Sequence, residues 1–154
     1  MTVKAIPEGY HSLTVYLGVN GAAAAMDFYR KAFDAVEEFR LDAPDGKVGH
    51  AELRIGDTRM MISEPCAEGP FGSLEAGSKP PFGLHLYVED VDARFQQAID
   101  AGAEVVRPVS DQFYGDRTGT LKDPFGLLWF VATHIEDLTP EQIRSRAQEM
   151  FQSS

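Results

Sequence analysis

The sequence predicts an α+β fold of two βαβββ modules in a pseudo-two-fold arrangement, followed by a C-terminal helix. One observation is that a strand-then-helix pattern is written twice. Residues 13–19 run into 22–33, and residues 84–88 run into 91–102, with an offset of 69 residues between Val19 and Val88. Both helices end in an acidic-plus-small pair, Asp34-Ala35 and Asp100-Ala101. A second observation is that each helix is followed by runs alternating apolar and polar residues, the period of a half-buried strand. A repeat this long excludes a solenoid and points to a duplicated module.

The elements follow in order. Leu13, Val15, Leu17 and Val19 alternate with Thr14, Tyr16 and Gly18, so 13–19 is read as a strand with one face on a core. Asn20-Gly21 breaks it. Met26, Tyr29 and Phe33, spaced by three and four, then make 22–33 an amphipathic helix. Alternation resumes from Val36 through Phe39 and Leu41, turns at Pro44-Asp45-Gly46, continues through Ala51, Leu53 and Ile55, turns at Gly56-Asp57 and ends with Met60 and Ile62. The stretch 65–81 is rich in Gly, Pro and Ser and is read as a linker, with a lid over a ligand as the alternative. The second module has a strand over 83–89, a helix over 91–102 and a short strand over 104–107. A hairpin of 117–122 and 127–134 follows, turned by Asp123-Pro124-Phe125-Gly126. Thr139-Pro140-Glu141-Gln142 has the capping-box pattern with proline at the first helical position, so a final helix runs to about 151. The expected division is module one over 10–65, linker 66–81, module two over 82–134 and the last helix over 139–151, all in one domain.

A formal net charge of −10 opposes binding to nucleic acid or anionic lipid, which need clustered cations. No apolar run is long enough to span a bilayer, and the first ten residues lack a secretory-signal pattern, so a cytoplasmic location is expected. Cys66 is the single cysteine, which excludes an internal disulfide. The expected partners are a small molecule and a second copy of the chain, with neither nucleic acid nor membrane. No phosphate-binding loop, nucleophile elbow or paired-cysteine motif is present, and no cofactor is expected.

The repeated βαβββ plan, the stretch Met26-Asp27-Phe28-Tyr29-Arg30-Lys31-Ala32-Phe33, and Asp123-Pro124-Phe125-Gly126 followed by Trp129 resemble the vicinal oxygen chelate superfamily. That superfamily includes glyoxalase I, extradiol dioxygenases, fosfomycin-resistance enzymes and metal-free bleomycin-binding proteins. Tyr114-Gly115-Asp116-Arg117 and the tail from Ala132-Thr133-His134 to Pro140 resemble its PhnB-like bacterial branch. The resemblance covers about residues 10–134 and implies homodimers in which curled sheets form cups for ligands. It also implies four metal positions, one each on the first, fourth, fifth and eighth strands. In this chain Thr14, Met61, Gly83 and Phe130 fall there. These four do not supply the N or O donors a divalent cation needs, so no metal ligand is assigned.

Strand alternation sends Thr14, Tyr16, His50, Glu52, Arg54, Met61, Ser63, Gly83, His85 and Tyr87 to the face opposite the helices, with Leu128, Phe130, Ala132 and His134 on the last strand. From these, Tyr16, His50, Arg54, Tyr87 and Phe130, together with Arg117, are the expected ligand-binding residues: aromatic area for a flat ligand and a guanidinium for an anionic group. Phe125 and Trp129 are read as supports of the hairpin. Asp116 and Arg117 are adjacent on a strand and point to opposite faces, which leaves Arg117 to another partner. His85 with Glu52 is the candidate acid–base pair, since an imidazole beside a carboxylate titrates near neutrality. His50, Glu52 and His85 form a conceivable displaced metal set. The plainer alternative makes both histidines polar strand residues satisfied by a nearby Glu or Tyr. The functional expectation is a glyoxalase/bleomycin-resistance-like small-molecule binder, with a glyoxalase-type lyase or isomerase as the alternative.

Overall fold

A computed structural model describes residues 2–72, 74 and 77–153. Part of the expected linker, residues 73, 75 and 76, lies outside the described residues. The chain forms two compact units, Met1–Lys79 with Pro124–Gly126, and Pro80–Asp123 with Leu127–Ser154.

The first unit contains β1 (Tyr16–Gly18), α1 (Ala22–Phe33), β2 (Val36–Asp42), β3 (Val48–Ile55) and β4 (Thr58–Ser63). Its sheet order is β1-β4-β3-β2, with β1 parallel to β4 and the other pairs antiparallel. The second unit repeats this with β5 (Leu84–Tyr87), α2 (Val91–Ala101), β6 (Glu104–Asp111), β7 (Asp116–Lys122) and β8 (Leu128–His134), in the order β5-β8-β7-β6. Helix α3 (Pro140–Gln152) ends it. Both sheets curl without closing, as the duplicated βαβββ plan requires.

The helices start by a shared device. Gly21 precedes α1 and has no side chain to cap it, so the Glu64 carboxylate at the end of β4 accepts from the Gly21 and Ala22 N–H groups at 2.8–3.1 Å. An acceptor at this point satisfies donors that a helix leaves open and complements its dipole. In the second unit Thr133, 69 residues later in sequence, accepts from Val91 N–H at 2.9 Å and donates to Val88 O at 2.8 Å. The capping box of α3 is present in full, with both Thr139 and Gln142 engaged.

The core of the first unit gathers Ala25, Met26, Tyr29, Ala32 and Phe33 of α1 with Leu17, Ala51, Leu53 and Ile62 of the sheet. Phe125 joins it, its ring 6.2 Å from Phe28 and 6.4 Å from Tyr29. In the second unit Val91, Phe95 and Ala98 of α2 are buried with Leu121, Trp129 and Val131.

Three local expectations are corrected. Strand β1 covers three residues rather than 13–19. Its ladder with β4 begins at Val15 O, and Leu13 precedes it at 91 % exposure. Strand β6 runs on through Pro108 to Asp111 instead of stopping at residue 107, because it is an edge strand and its register shifts between Arg107 and Ser110. Strand β2 is exposed along its whole length, so Val36, Phe39 and Leu41 do not mark a buried face. It too is an edge strand, with two register irregularities.

Candidate functional site

Each sheet buries one face against its helix and leaves the other more open. On β3, Val48, Ala51, Leu53 and Ile55 are buried, while His50, Glu52 and Arg54 are part-exposed. On β5, His85 and Tyr87 are exposed, as is Gly83 just before the strand. The alternation of the sequence is therefore realised, except that Ser63 and Ala132 are buried on the face expected to be open.

In the first unit, cross-strand pairing places Tyr16 opposite Met61 and Met61 opposite Glu52. The Tyr16 hydroxyl contacts His50 Nδ1 at 2.8 Å, and His50 Nε2 is 3.8 Å from Glu52 Oε2. Glu52 also accepts from the Tyr10 hydroxyl. Burial, and then that carboxylate, push the Tyr10 phenol up to about 12, so it stays protonated at neutral pH. The Phe71 ring lies 5.1 Å from Tyr16 and fills the space over Gly18, where a Cβ would sit 2.4 Å from it. Arg54 is held by Glu38 at 2.7 Å and by Gly56 O.

In the second unit His85 lies opposite Phe130, their rings parallel within 6° at 6.4 Å, and the His85 and Tyr87 rings are 4.7 Å apart. Tyr87 is 59 % and Phe130 36 % exposed. Tyr87 donates to Asp116 Oδ2 at 2.7 Å, and Asp116 Oδ1 meets His134 Nδ1 at 2.8 Å. The other nitrogen of His134 meets Asp137 at 2.8 Å. A neutral imidazole has one N–H, so only the imidazolium donates to both carboxylates. Those two contacts raise the His134 pKa above its usual value. Burial pushes Asp116 up, but bonds from Tyr87 and His134 outweigh it, and its carboxyl titrates below the ordinary range. Arg117, one residue along, faces away and is held by Asp92 through two bonds of 2.8 and 2.9 Å and by Asp111 at 2.9 Å.

His85 and Glu52 thus belong to different units, each with its own neighbours. Trp129 is 3 % exposed and donates to Asp123 Oδ2 at 2.9 Å, and Phe125 packs on α1, so both are supports. Sequence reasoning missed Tyr10 as a partner of Glu52, and Asp116 as the shared partner of Tyr87 and His134. The second omission was avoidable. Pairing outward from the Asp123–Gly126 turn gives Lys122 opposite Leu128 and, six residues on, Asp116 opposite His134.

The four positions at which the resemblance implies a metal do not fit one. Thr14 offers a hydroxyl, Met61 a thioether and Gly83 nothing. A Cβ on Gly83 would lie 2.4 Å from the Phe130 ring, so the space of a fifth-strand ligand is filled by the residue at the eighth-strand position. A hard or borderline cation needs carboxylate or imidazole donors. Within either unit, the described residues hold no group of three or more His, Cys, Asp or Glu placed around a common point.

Residues 11–131 match the Glyoxalase/Bleomycin resistance protein/Dioxygenase superfamily. Rv0887c of Mycobacterium tuberculosis, an uncharacterized protein, is 41% identical over 138 residues, which is 87% of this chain and 81% of that protein. The crystal structure of TioX from Micromonospora sp. ML1 is similar with a TM-score of 0.64 at 26% identity, covering 84% of this chain and 100% of TioX. A PhnB protein from Bacillus cereus, a putative 3-demethylubiquinone-9 3-methyltransferase, shares the fold at 19% identity and a TM-score of 0.63, over 80% of this chain and 99% of that one. No helix among the described residues is long and apolar enough to cross a membrane. On its duplicated topology and on this match, the chain belongs to the Glyoxalase/Bleomycin resistance protein/Dioxygenase superfamily.

Proposed function

We propose that this protein binds a small molecule on the open faces of its curled sheets, as a cytoplasmic homodimer, without the superfamily's usual metal site. The observation that carries the reading is the replacement of two ligand positions by Gly83 and Phe130, the ring of one occupying the side-chain space of the other. That exchange removes donors and adds apolar, stackable area, the composition of a binding pocket rather than of a cation cage. Tyr16 and His50 would contribute in the first unit, and His85, Tyr87 and Phe130 in the second. Arg54 and Arg117 would meet an anionic group only by giving up their carboxylate partners.

The test is elemental analysis of protein purified without chelators, with titration of Ni²⁺, Zn²⁺ and Mn²⁺. The reading expects weak, substoichiometric metal. Tight binding of one ion per chain would sink it. A monomer by light scattering at micromolar concentration would count against the dimer.

A second reading, a glyoxalase-type lyase or isomerase, draws on the Tyr10, Glu52, His50 and Tyr16 side chains, which stand in contact one after another as a relay for a proton would require. If His85 takes part in such a reaction, His85→Ala abolishes turnover. Unchanged turnover removes His85 from it.

A further inference from the structure

The open face of the second unit carries a hydroxyl that can accept a hydrogen bond and cannot give one. Tyr87 is 59 % exposed, yet its single O–H is directed at Asp116 Oδ2, 2.7 Å away. Only lone pairs remain on the outward side of that oxygen. Behind it Asp116 is 4 % exposed and fixed on its other oxygen by His134, so the carboxylate is not free to turn away. A hydrogen bond donated to a carboxylate raises the electron density on the phenolic oxygen and makes it the better acceptor. His85 and Phe130 stand beside it with parallel rings. Arg117, the cation next along β7, is held by Asp92 and Asp111.

We infer that Tyr87, held by Asp116, selects planar cations bearing N–H donors, such as amidinium or protonated amino-heteroaromatic groups, stacked against the Phe130 and His85 rings. The inference rests on the binding reading above and specifies its ligand class. A ligand N–H directed at Tyr87 Oη completes the oxygen's bonding, its positive charge is attracted by the buried carboxylate, and its flat π-system covers the exposed rings. An anionic ligand oxygen at the same place would oppose one set of lone pairs to another and would add charge to a site already negative. A carboxylate or phosphate is therefore rejected by a residue that, as an ordinary tyrosine, would have welcomed it.

The test uses two probes with the same ring and opposite polarity, benzamidinium and benzoate, titrated into the full chain and followed by NMR of the His85, Tyr87 and Phe130 rings. Benzamidinium should bind at least about tenfold more tightly than benzoate. Tyr87→Phe should weaken benzamidinium about tenfold, the factor expected for one charge-assisted hydrogen bond, while leaving benzoate unchanged or slightly improved. Asp116→Asn, which keeps the shape but lets Tyr87 turn its proton outward, should narrow the gap between the two probes. Equal binding of the probes, or unchanged benzamidinium affinity in Tyr87→Phe, overturns the inference and leaves the aromatic platform standing. Failure of both probes to perturb the His85 and Phe130 rings at millimolar concentration sinks the platform reading and this inference with it.

Discussion

Asp123 opens the turn that the sequence marks most clearly, and its removal tests whether that turn is held by charge-assisted bonds. The carboxylate is 4 % exposed and accepts from Leu127 N–H at 3.0 Å and from the Trp129 indole at 2.9 Å. Asp123→Ala takes away both acceptors and leaves two donors in a region that water does not reach. Hydrogen bonds to a charged group contribute about 1.5–3 kcal/mol each, and the two share one carboxylate, so the expected loss is about 3–5 kcal/mol. For a chain of this size that lowers Tm by about 6–20 °C. Trp129→Phe deletes the indole donor together with part of the ring's packing, and the cycle cancels the packing loss. In that background Asp123→Ala should cost about 1–2 kcal/mol less than in the native protein. Urea unfolding followed by far-UV circular dichroism measures all four corners of the cycle without relying on Trp129, the sole tryptophan. A coupling under about 0.5 kcal/mol, or an Asp123→Ala loss under about 1 kcal/mol, would refute the assignment of these bonds as the turn's support.

Three further outcomes follow from other contacts. Gly115 has φ +96°, and a Cβ there would lie 2.4 Å from the backbone oxygen of Glu136, so Gly115→Ala should cost about 2–4 kcal/mol in thermal or urea unfolding; a loss under about 1 kcal/mol would show that the 112–136 corner yields easily. His134 has a raised folded pKa, so the stability it adds is fully present below the unfolded value of about 6.5 and is lost as pH rises through the folded value. NMR titration should give a His134 midpoint above 6.5 that moves down in Asp116→Asn, and a midpoint at or below 6.5 in the native protein would contradict the two-carboxylate geometry. Helix α3 has no buried residue and is tied by Arg146 to both oxygens of Glu136, at 2.7 and 2.8 Å, and to Phe113 O. Arg146→Ala should accelerate hydrogen exchange throughout α3 while leaving the midpoint of global unfolding nearly unchanged; unchanged exchange would mean that other contacts anchor the helix.

By itself, the sequence determined the features that depend on near neighbours along the chain. The spacing of Met26, Tyr29 and Phe33 set α1, Thr139 to Gln142 set the start of α3, and Asp123-Pro124-Phe125-Gly126 set the hairpin, because caps, turns and helix faces are formed within a few residues. Alternation likewise identified the open positions of β3 and β5. Only the tertiary structure decided what each strand met across the ladder. Val36, Phe39 and Leu41 have the pattern of a buried strand and yet lie on an exposed edge, since periodicity records two faces and not what covers them. Gly83 makes room for Phe130, and Tyr87 directs its O–H at Asp116, through strand register and side-chain direction that bring residues 29 to 47 positions apart into contact. Those contacts fix the chemistry of the site, because a donor or an acceptor is defined by its partner and not by its place in the chain.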